Sequence, residues 1–297
     1  MPGVVLARAI TGHAASHAVR HGELVRLTRG AYAVPSELRD ARELALARAA
    51  GVHARLTSPH VLSHATAALL WDLPLWRTPT TTHVRQNGRR SGRSDPTVSR
   101  HVGLPPNGRC AERHGLPVTD LPATVADCLR TMPALHGLVV LDAALRSGLV
   151  AEELAALLAP LRGARGVARA RALLEVADAG AESPGESAAR WAVLWRGFPP
   201  PATQLPIRTR IGWFRGDLGW SQERVLLEYD GRVKYADREA LVAEKRRHDA
   251  IVEAGWRVLR VTKEDVRDPA GLAARVHRLL PVPLQPRPLL APTRPRS

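Results

Sequence analysis

Apolar and polar positions change rhythm several times along the chain. Residues 13–21 show helical spacing that ends at Gly22, and GELVRLTRGAYAV alternates on either side of Arg29-Gly30. This predicts a short helix followed by two strands joined by a turn. Residues 36–50 read as a helix with Leu44 and Ala47 on one face. Ser63 is placed to cap another, whose Ala67, Leu70 and Trp71 enter a core. Residues 78–107 carry strand-like pieces, TTTHVRQ and TVSRHV, among Thr, Arg, Gly and Pro, which predicts a small twisted sheet with basic loops. Three core-forming helices without chemistry are expected over 122–130, 138–147 and 151–161. Ser183-Pro184-Gly185-Glu186 then opens a helix with a Ser cap, Pro at the first turn and Glu at the third position. Strand-like ATQLPIRTRIG, a turn near Asp217, strand RVLLEYDG, a helix from Asp237 to Gly255 and strand WRVLRV follow. Strand, helix, strand is a crossover unit. The last residues, PVPLQPRPLLAPTRPRS, predict an extended tail with no fold of its own.

Composition sharpens this outline. The 297 residues suffice for two or three compact units, and 45% hydrophobic with 24% charged residues is ordinary for a folded chain. A formal net charge of +15 attracts polyanions, although an arginine-for-lysine coding bias contributes to the arginine count. Cys110 and Cys128 make no disulfide framework and show no metal spacing. The N-terminus lacks a signal-peptide pattern and no apolar window reaches a membrane span, so the expectation is a cytoplasmic protein without a membrane partner. A helix followed by a basic hairpin is the outline of a winged helix-turn-helix, here reduced because so few residues precede Thr11-Gly12. On that reading His13, Ser16, His17 and Arg20 face DNA, and Arg26 and Arg29 lie on the wing. Among His53, His60, His64, His83, His101 and His114 only His60 and His64 have ligand spacing, with no third ligand evident, so a structural or exposed role is expected.

The carboxylates of the last third carry the chemistry. Asp217 at a hairpin and Glu228 on the next strand would converge across neighbouring strands, the minimum cage for Mg²⁺ or Mn²⁺. Asp230 shares the face of Glu228 about 7 Å along the strand. Glu186 is either a capping-box residue or a fourth carboxylate at the same edge. Arg232, Lys234, Lys245, Arg246 and Arg247 follow, where phosphates would need cations. Trp191, Trp195 and Trp256 are read as core.

Here the segment resembles a known family. Ser183-Pro184-Gly185-Glu186-Ser187, Asp217-Leu218, Glu228-Tyr229-Asp230-Gly231 and Arg247 through Gly255-Trp256-Arg257-Val258-Leu259-Arg260-Val261-Thr262 are similar to the DUF559 group of the PD-(D/E)XK nucleases, related to very-short-patch repair endonucleases. That resemblance implies a restriction-endonuclease-like fold and metal-dependent hydrolysis of DNA. Members commonly carry His four residues after the Asp of E-x-D-G, where this chain has Lys234. Upstream, residues 22–32, Ser63-His64-Ala65-Thr66-Ala67-Ala68 and Leu116-Pro117-Val118-Thr119 with Asp127 are similar to the AbiEi family of type IV antitoxins, which implies a winged-helix DNA reader and adds a toxin as a candidate partner.

The expected protein is therefore a multidomain α/β and α+β chain. It comprises a reduced winged helix over 1–50, an α+β middle domain over 51–178, a nuclease-like domain over 179–281 and a disordered tail over 282–297. The favoured activity is Mg²⁺-dependent phosphodiester hydrolysis in DNA. Asp217, Glu228, Asp230 and Lys234 would be catalytic, Asp217, Glu228 and Glu186 would hold the metal, and the arginines and Lys245 would bind DNA. The alternative is an inactive DNA-binding regulator or antitoxin.

Overall fold

The computed structural model describes residues 3–6, 12–88, 95–105, 108–231 and 238–292. Contacts divide the chain into two units, one of residues 1–131 with 152–160 and one of 132–151 with 161–297. The divisions expected at residues 50 and 178 do not coincide with this boundary. Eleven helices and three sheets among the described residues make a mixed α+β protein.

The first unit opens with β1 (Val5–Leu6), α1 (Gly12–Arg20), β2 (Val25–Thr28), β3 (Ala31–Ala33) and α2 (Ala41–Arg55). The three strands form a small antiparallel sheet in the order β1-β3-β2. Its inner face is Leu27 and Ala33, against Ala47 of α2. The helix starts at Ala41, five residues later than the apolar spacing indicated, because Asp40 caps it by accepting from the Glu43 N–H while residues 35–37 form a 3₁₀ turn.

β4 (His60–Leu62), α3 (His64–Leu70), β5 (Thr82–Gln86), β6 (Val98–Val102), β7 (Cys110–Arg113), β8 (Leu116–Thr119) and α4 (Leu121–Thr131) follow. The strands form a five-stranded sheet in the order β6-β5-β4-β8-β7. The alternation of TTTHVRQ puts Thr82, Val84 and Gln86 inward and turns His83 and Arg85 to the other face. Leu62, Val84, Val118, Val52 and Leu70 make the core. α3 is buried all along its length, and Trp71 at its end donates its indole N–H to the Thr119 carbonyl.

α5 (Ala134–Arg146) belongs to the second unit, and α6 (Ala151–Leu158) lies mainly in the first. The second unit continues with α7 (Val167–Glu175), α8 (Pro184–Arg196), β9 (Ala202–Thr209), β10 (Gly212–Trp220), β11 (Val225–Tyr229), α9 (Arg238–Glu253), β12 (Arg257–Val261), α10 (Lys263–Arg267) and α11 (Pro269–Leu279). β9, β10 and β11 form an antiparallel meander, and α9 crosses over so that β12 pairs parallel with β11. Ile251 of α9 packs on Leu205, Ile207 and Leu226 of the sheet, with Phe214, Trp256 and Val258 against the same cluster. The core reading of Trp191 and Trp256 holds, and Trp191 stacks on Trp195 with centroids 5.5 Å apart.

One expectation about this unit is corrected. Residues 282–292 are not a tail without structure. The Gln285 N–H donates to the Gly197 carbonyl, the Arg287 guanidinium to the carbonyls of Leu194 and Phe198, and the Trp191 indole to the Leu290 carbonyl, while the Leu290 side chain is fully buried. The strap runs over the end of α8 so closely that Gly197, at φ +97°, would place a Cβ 2.5 Å from the Gln285 backbone. A Pro-rich composition kept these residues from forming an α-helix and allows only a 3₁₀ turn at Pro288–Leu290; it did not keep them from docking.

α5 and α8 are joined through charge. Arg190 donates to both oxygens of Asp142 at 2.7 and 2.9 Å, and both side chains are buried. The helix over 134–146, expected to carry apolar packing alone, thus contributes a buried acid.

Candidate functional site

The start of α8 sets the site. Ser183 Oγ accepts from the Glu186 N–H at 3.1 Å, and Glu186 Oε2 accepts from the Glu182 N–H at 2.8 Å. The carboxylate thus serves the helix end but reaches one residue before the cap, which is half of the expected capping box. Gly185 lies against Tyr229, and a Cβ there would come within 2.0 Å of the ring. Only glycine lets α8 approach β11 this closely, and the approach brings Glu186 toward the acids on the sheet.

Asp217 is inside β10, not at a hairpin as the turn chemistry of Asp suggested. The pair Leu218↔Leu227 puts Asp217 next to Glu228 across the strands. Asp217 Oδ2 accepts the Tyr229 N–H at 2.8 Å. Glu228, 8% exposed, accepts from Arg247 Nη2 at 2.7 Å, and the same nitrogen reaches the Arg215 carbonyl at 3.0 Å. Gln204 adds its amide, with Nε2 3.4 Å from Glu186 Oε2, and Arg215 Nε donates to its Oε1 at 3.2 Å. Its φ of +50° within a strand is strained backbone beside the acids.

All three carboxyls are held above their usual range, and in each case burial is the main cause. Glu186 and Glu228 are raised further by the charge of Asp217, and Asp217 by Glu182 and Glu244. Arg247 opposes the shift at Asp217 and Glu228. Buried like charges of this kind are unfavourable unless a cation or proton joins them. An all-oxygen donor set suits a hard divalent ion, Mg²⁺ or Mn²⁺. Among the described residues these acids do not bring one oxygen each within 4.8 Å of one another, so two of them with waters would complete a hexacoordinate shell.

Other expected site residues are arranged differently. Asp230 is exposed beyond the end of β11, so it does not share the buried face of Glu228; its N–H pairs with the Val261 carbonyl. Arg247 is tied to Glu228 and Glu244, with its guanidinium 5.9 Å from the Phe214 ring centre, and is not an open phosphate contact. Lys245 and Arg246 are exposed on α9. Arg20 on α1, Arg26 on β2 and Arg29 in the turn are exposed in the first unit. Arg232 and Lys234 lie outside the described residues.

A second constellation escaped the sequence. His60 pairs with His53, not with His64, at 3.0 Å. His64 instead meets His83 of β5 and His101 of β6, with one ligand atom from each within 4.8 Å of the others. Ser63 at the start of α3 donates its N–H to the His83 carbonyl, and the His83 N–H donates to Thr66 Oγ1, which fixes helix to strand. His83 Nδ1 is 3.0 Å from His101 Nε2, and the His64 and His101 rings stack at 3.7 Å. Burial lowers the pKa of all three, that of His83 to about 4. A cavity of about 650 Å³ opens here, lined by His64, His101, Arg85, Arg100, Arg130 and Asp127 among others. Asp127 accepts two bonds from Arg85, so α4 also carries more than core. The available signal was the alternation that puts His83 and His101 on outward strand positions; their meeting depends on the parallel pairing of β5 with β6.

No family model matches the chain. Two proteins of Mycobacterium tuberculosis, described as the uncharacterized proteins MT2308 and Rv2248, are each 34% identical over 265 residues, covering 88% of this chain and 94% of their own. The crystal structure of the RV2827C protein from the same species matches with a TM-score of 0.39 at 20% identity, over 63% of this chain and 75% of that one. No helix among the described residues is long and apolar enough to cross a membrane.

Proposed function

The chain belongs to one family with the two Mycobacterium tuberculosis proteins, and from that premise we propose that it hydrolyses phosphodiester bonds in DNA with Mg²⁺ or Mn²⁺. The carrying observation is that half-buried Asp217 stands beside buried Glu228 across neighbouring strands, with buried Glu186 of α8 close enough for the charge of Asp217 to raise both glutamates. The order helix, three-stranded meander, helix, parallel strand supports a restriction-endonuclease-like reading of the second unit and its likeness to the DUF559 group.

Asp217 and Glu228 would hold the cation, and Glu186 would support it from α8. When bound, the ion lowers the pKa of a water and neutralises charge on the scissile phosphate. Arg247 pairs with Glu228 here, and exchange of that pairing would free its guanidinium for a phosphate oxygen. Lys245 and Arg246, exposed on the same helix, serve the DNA backbone, and Arg232 and Lys234, which follow Asp230 in the sequence, are assigned to the same task. In the first unit, the sheet order β1-β3-β2 with α1 inserted after β1 supports a winged-helix reader using Arg20, Arg26 and Arg29.

A second reading has its own observation. The Arg247–Glu228 ion pair already neutralises one acid, which favours a DNA-binding regulator or antitoxin on an inactive nuclease scaffold, with a toxin as partner. Calorimetric titration with Mg²⁺ and Mn²⁺ on the intact chain and on Glu228→Ala, followed by plasmid cleavage, separates the two. Saturable binding lost in the variant, with cleavage, supports the nuclease. DNA binding without metal binding or cleavage, even with duplex present, would leave the regulator.

A further inference from the structure

The first unit carries a second constellation whose chemistry differs from that of the carboxylates. We propose that His64, His83 and His101 form a binding site for a borderline-soft divalent transition ion, of which Zn²⁺ is the type, reached through the cavity beside α4.

The donor set argues for the ion class. Three imidazoles offer nitrogen ligands and suit zinc, cobalt or nickel, whereas magnesium prefers oxygen. Imidazole binds metal in its neutral form, and the burial of these rings favours that form.

Distance argues for one shared ion. Two nitrogens on one tetrahedral zinc, with Zn–N bonds of about 2.0–2.1 Å, lie about 3.3 Å apart. His83 Nδ1 and His101 Nε2 are 3.0 Å apart, so an ion could take the place of the shared proton with little movement of β5 or β6. His64 completes the set within 4.8 Å. A ligating ring holds its metal in its own plane, so His64, which stacks on His101 at 3.7 Å, must turn about its side-chain bonds to bring a nitrogen inward.

The surroundings fit such a site. His64 Nδ1 is 2.9 Å from Ser63 Oγ and 3.6 Å from Asp127 Oδ2, the kind of outer partner that orients a ligating imidazole. Asp127 itself is occupied by Arg85 and stays outside the ligand shell. Three protein nitrogens leave a fourth tetrahedral position for water or an exogenous ligand. His64 and His101 line the 650 Å³ cavity, and Arg85, Arg100 and Arg130 on its wall give an incoming ligand anionic preference.

The experiment is Co²⁺ titration of the full chain after chelator treatment, read by visible ligand-field absorption and competed with Zn²⁺. One Co²⁺ per chain with an intense tetrahedral spectrum is expected, displaced by Zn²⁺ and unchanged in Asp217→Ala. His83→Gln and His101→Gln should each weaken binding by at least about tenfold while circular dichroism stays native. His60→Ala, which alters the other histidine pair, should bind as the parent does. Absence of a saturable tetrahedral spectrum overturns the proposal, as does a spectrum that survives both glutamine variants. Loss of the spectrum in His60→Ala alone would also overturn it by assigning the ion to the His53–His60 pair.

Discussion

Replacing Arg190 by methionine keeps much of the side-chain volume and removes the charge that faces Asp142. In the native chain Asp142 is fully buried and accepts from Arg190 at 2.7 and 2.9 Å and from the Asp178 N–H at 3.0 Å. Arg190 also donates to the Val176 carbonyl at 2.5 Å. Arg190→Met leaves a buried carboxylate without its cation, a loss of about 3–5 kcal/mol. Arg190→Met with Asp142→Leu removes both charges and should recover most of that, leaving the Asp178 N–H and Val176 carbonyl unpaired at about 1–3 kcal/mol. The sign with pH follows from Asp142, already held above the usual carboxylate range by burial and opposed by Arg190. Without Arg190 its folded pKa rises further, the folded chain takes up a proton more readily than the unfolded one, and the deficit of the single variant shrinks as pH falls from neutrality. Urea unfolding followed by tryptophan fluorescence is the assay, because five of the seven tryptophans, from Trp191 to Trp256, lie in this unit. A loss below about 1 kcal/mol in the single variant would refute the reasoning, given the range for broken buried pairs. So would a double variant as unstable as the sum of the two single ones.

Three further outcomes are expected. His83, lowered to about 4 from an ordinary 6.5 by burial and by His101, contributes stability to the first unit that is complete above about pH 6.5 and lost as pH falls toward 4. Hydrogen exchange in β5 and β6 should show this limb and His83→Gln should make it shallower, the remainder coming from His64 and His101; parallel curves would reject the assignment. Asp217→Asn keeps an acceptor for the Tyr229 N–H while removing a half-buried charge. It should raise stability by about 0.5–2 kcal/mol while eliminating Mg²⁺ binding, and a loss of stability in thermal melts would count against a functional origin for the acid cluster. A chain ending at Leu280 exposes the surface under Leu290, worth about 1.5–3 kcal/mol. It should melt lower with red-shifted tryptophan emission, and unchanged emission would show that the strap does not cover Trp191.

Local signals determined most of the elements. Gly22 and Gly30, both at positive φ, ended the first helix and turned the hairpin where the pattern indicated, and Ser183-Pro184 started α8 as written. The order of strand, helix and strand from Val225 to Val261 was also legible, because the apolar period shifts from two to that of a helix and back. Asp217 and Glu228 stood out as a carboxylate pair, since an acid within an apolar strand requires a partner.

Tertiary structure decided which side chains meet. The approach of α8 to β11 at Gly185 brought Glu186 toward those acids, and the fold of α9 turned Arg247 onto Glu228. The end of β11 at Tyr229 left Asp230 outside. His64, His83 and His101, separated by 19 and 18 residues, come together only because β5 pairs with β6 and α3 rests on β5. The strap over α8 and the Arg190–Asp142 pair, 48 residues apart, have the same origin. Periodicity and capping act over a few residues and are written locally, whereas a site built across strands depends on sheet order and register, which local spacing does not encode.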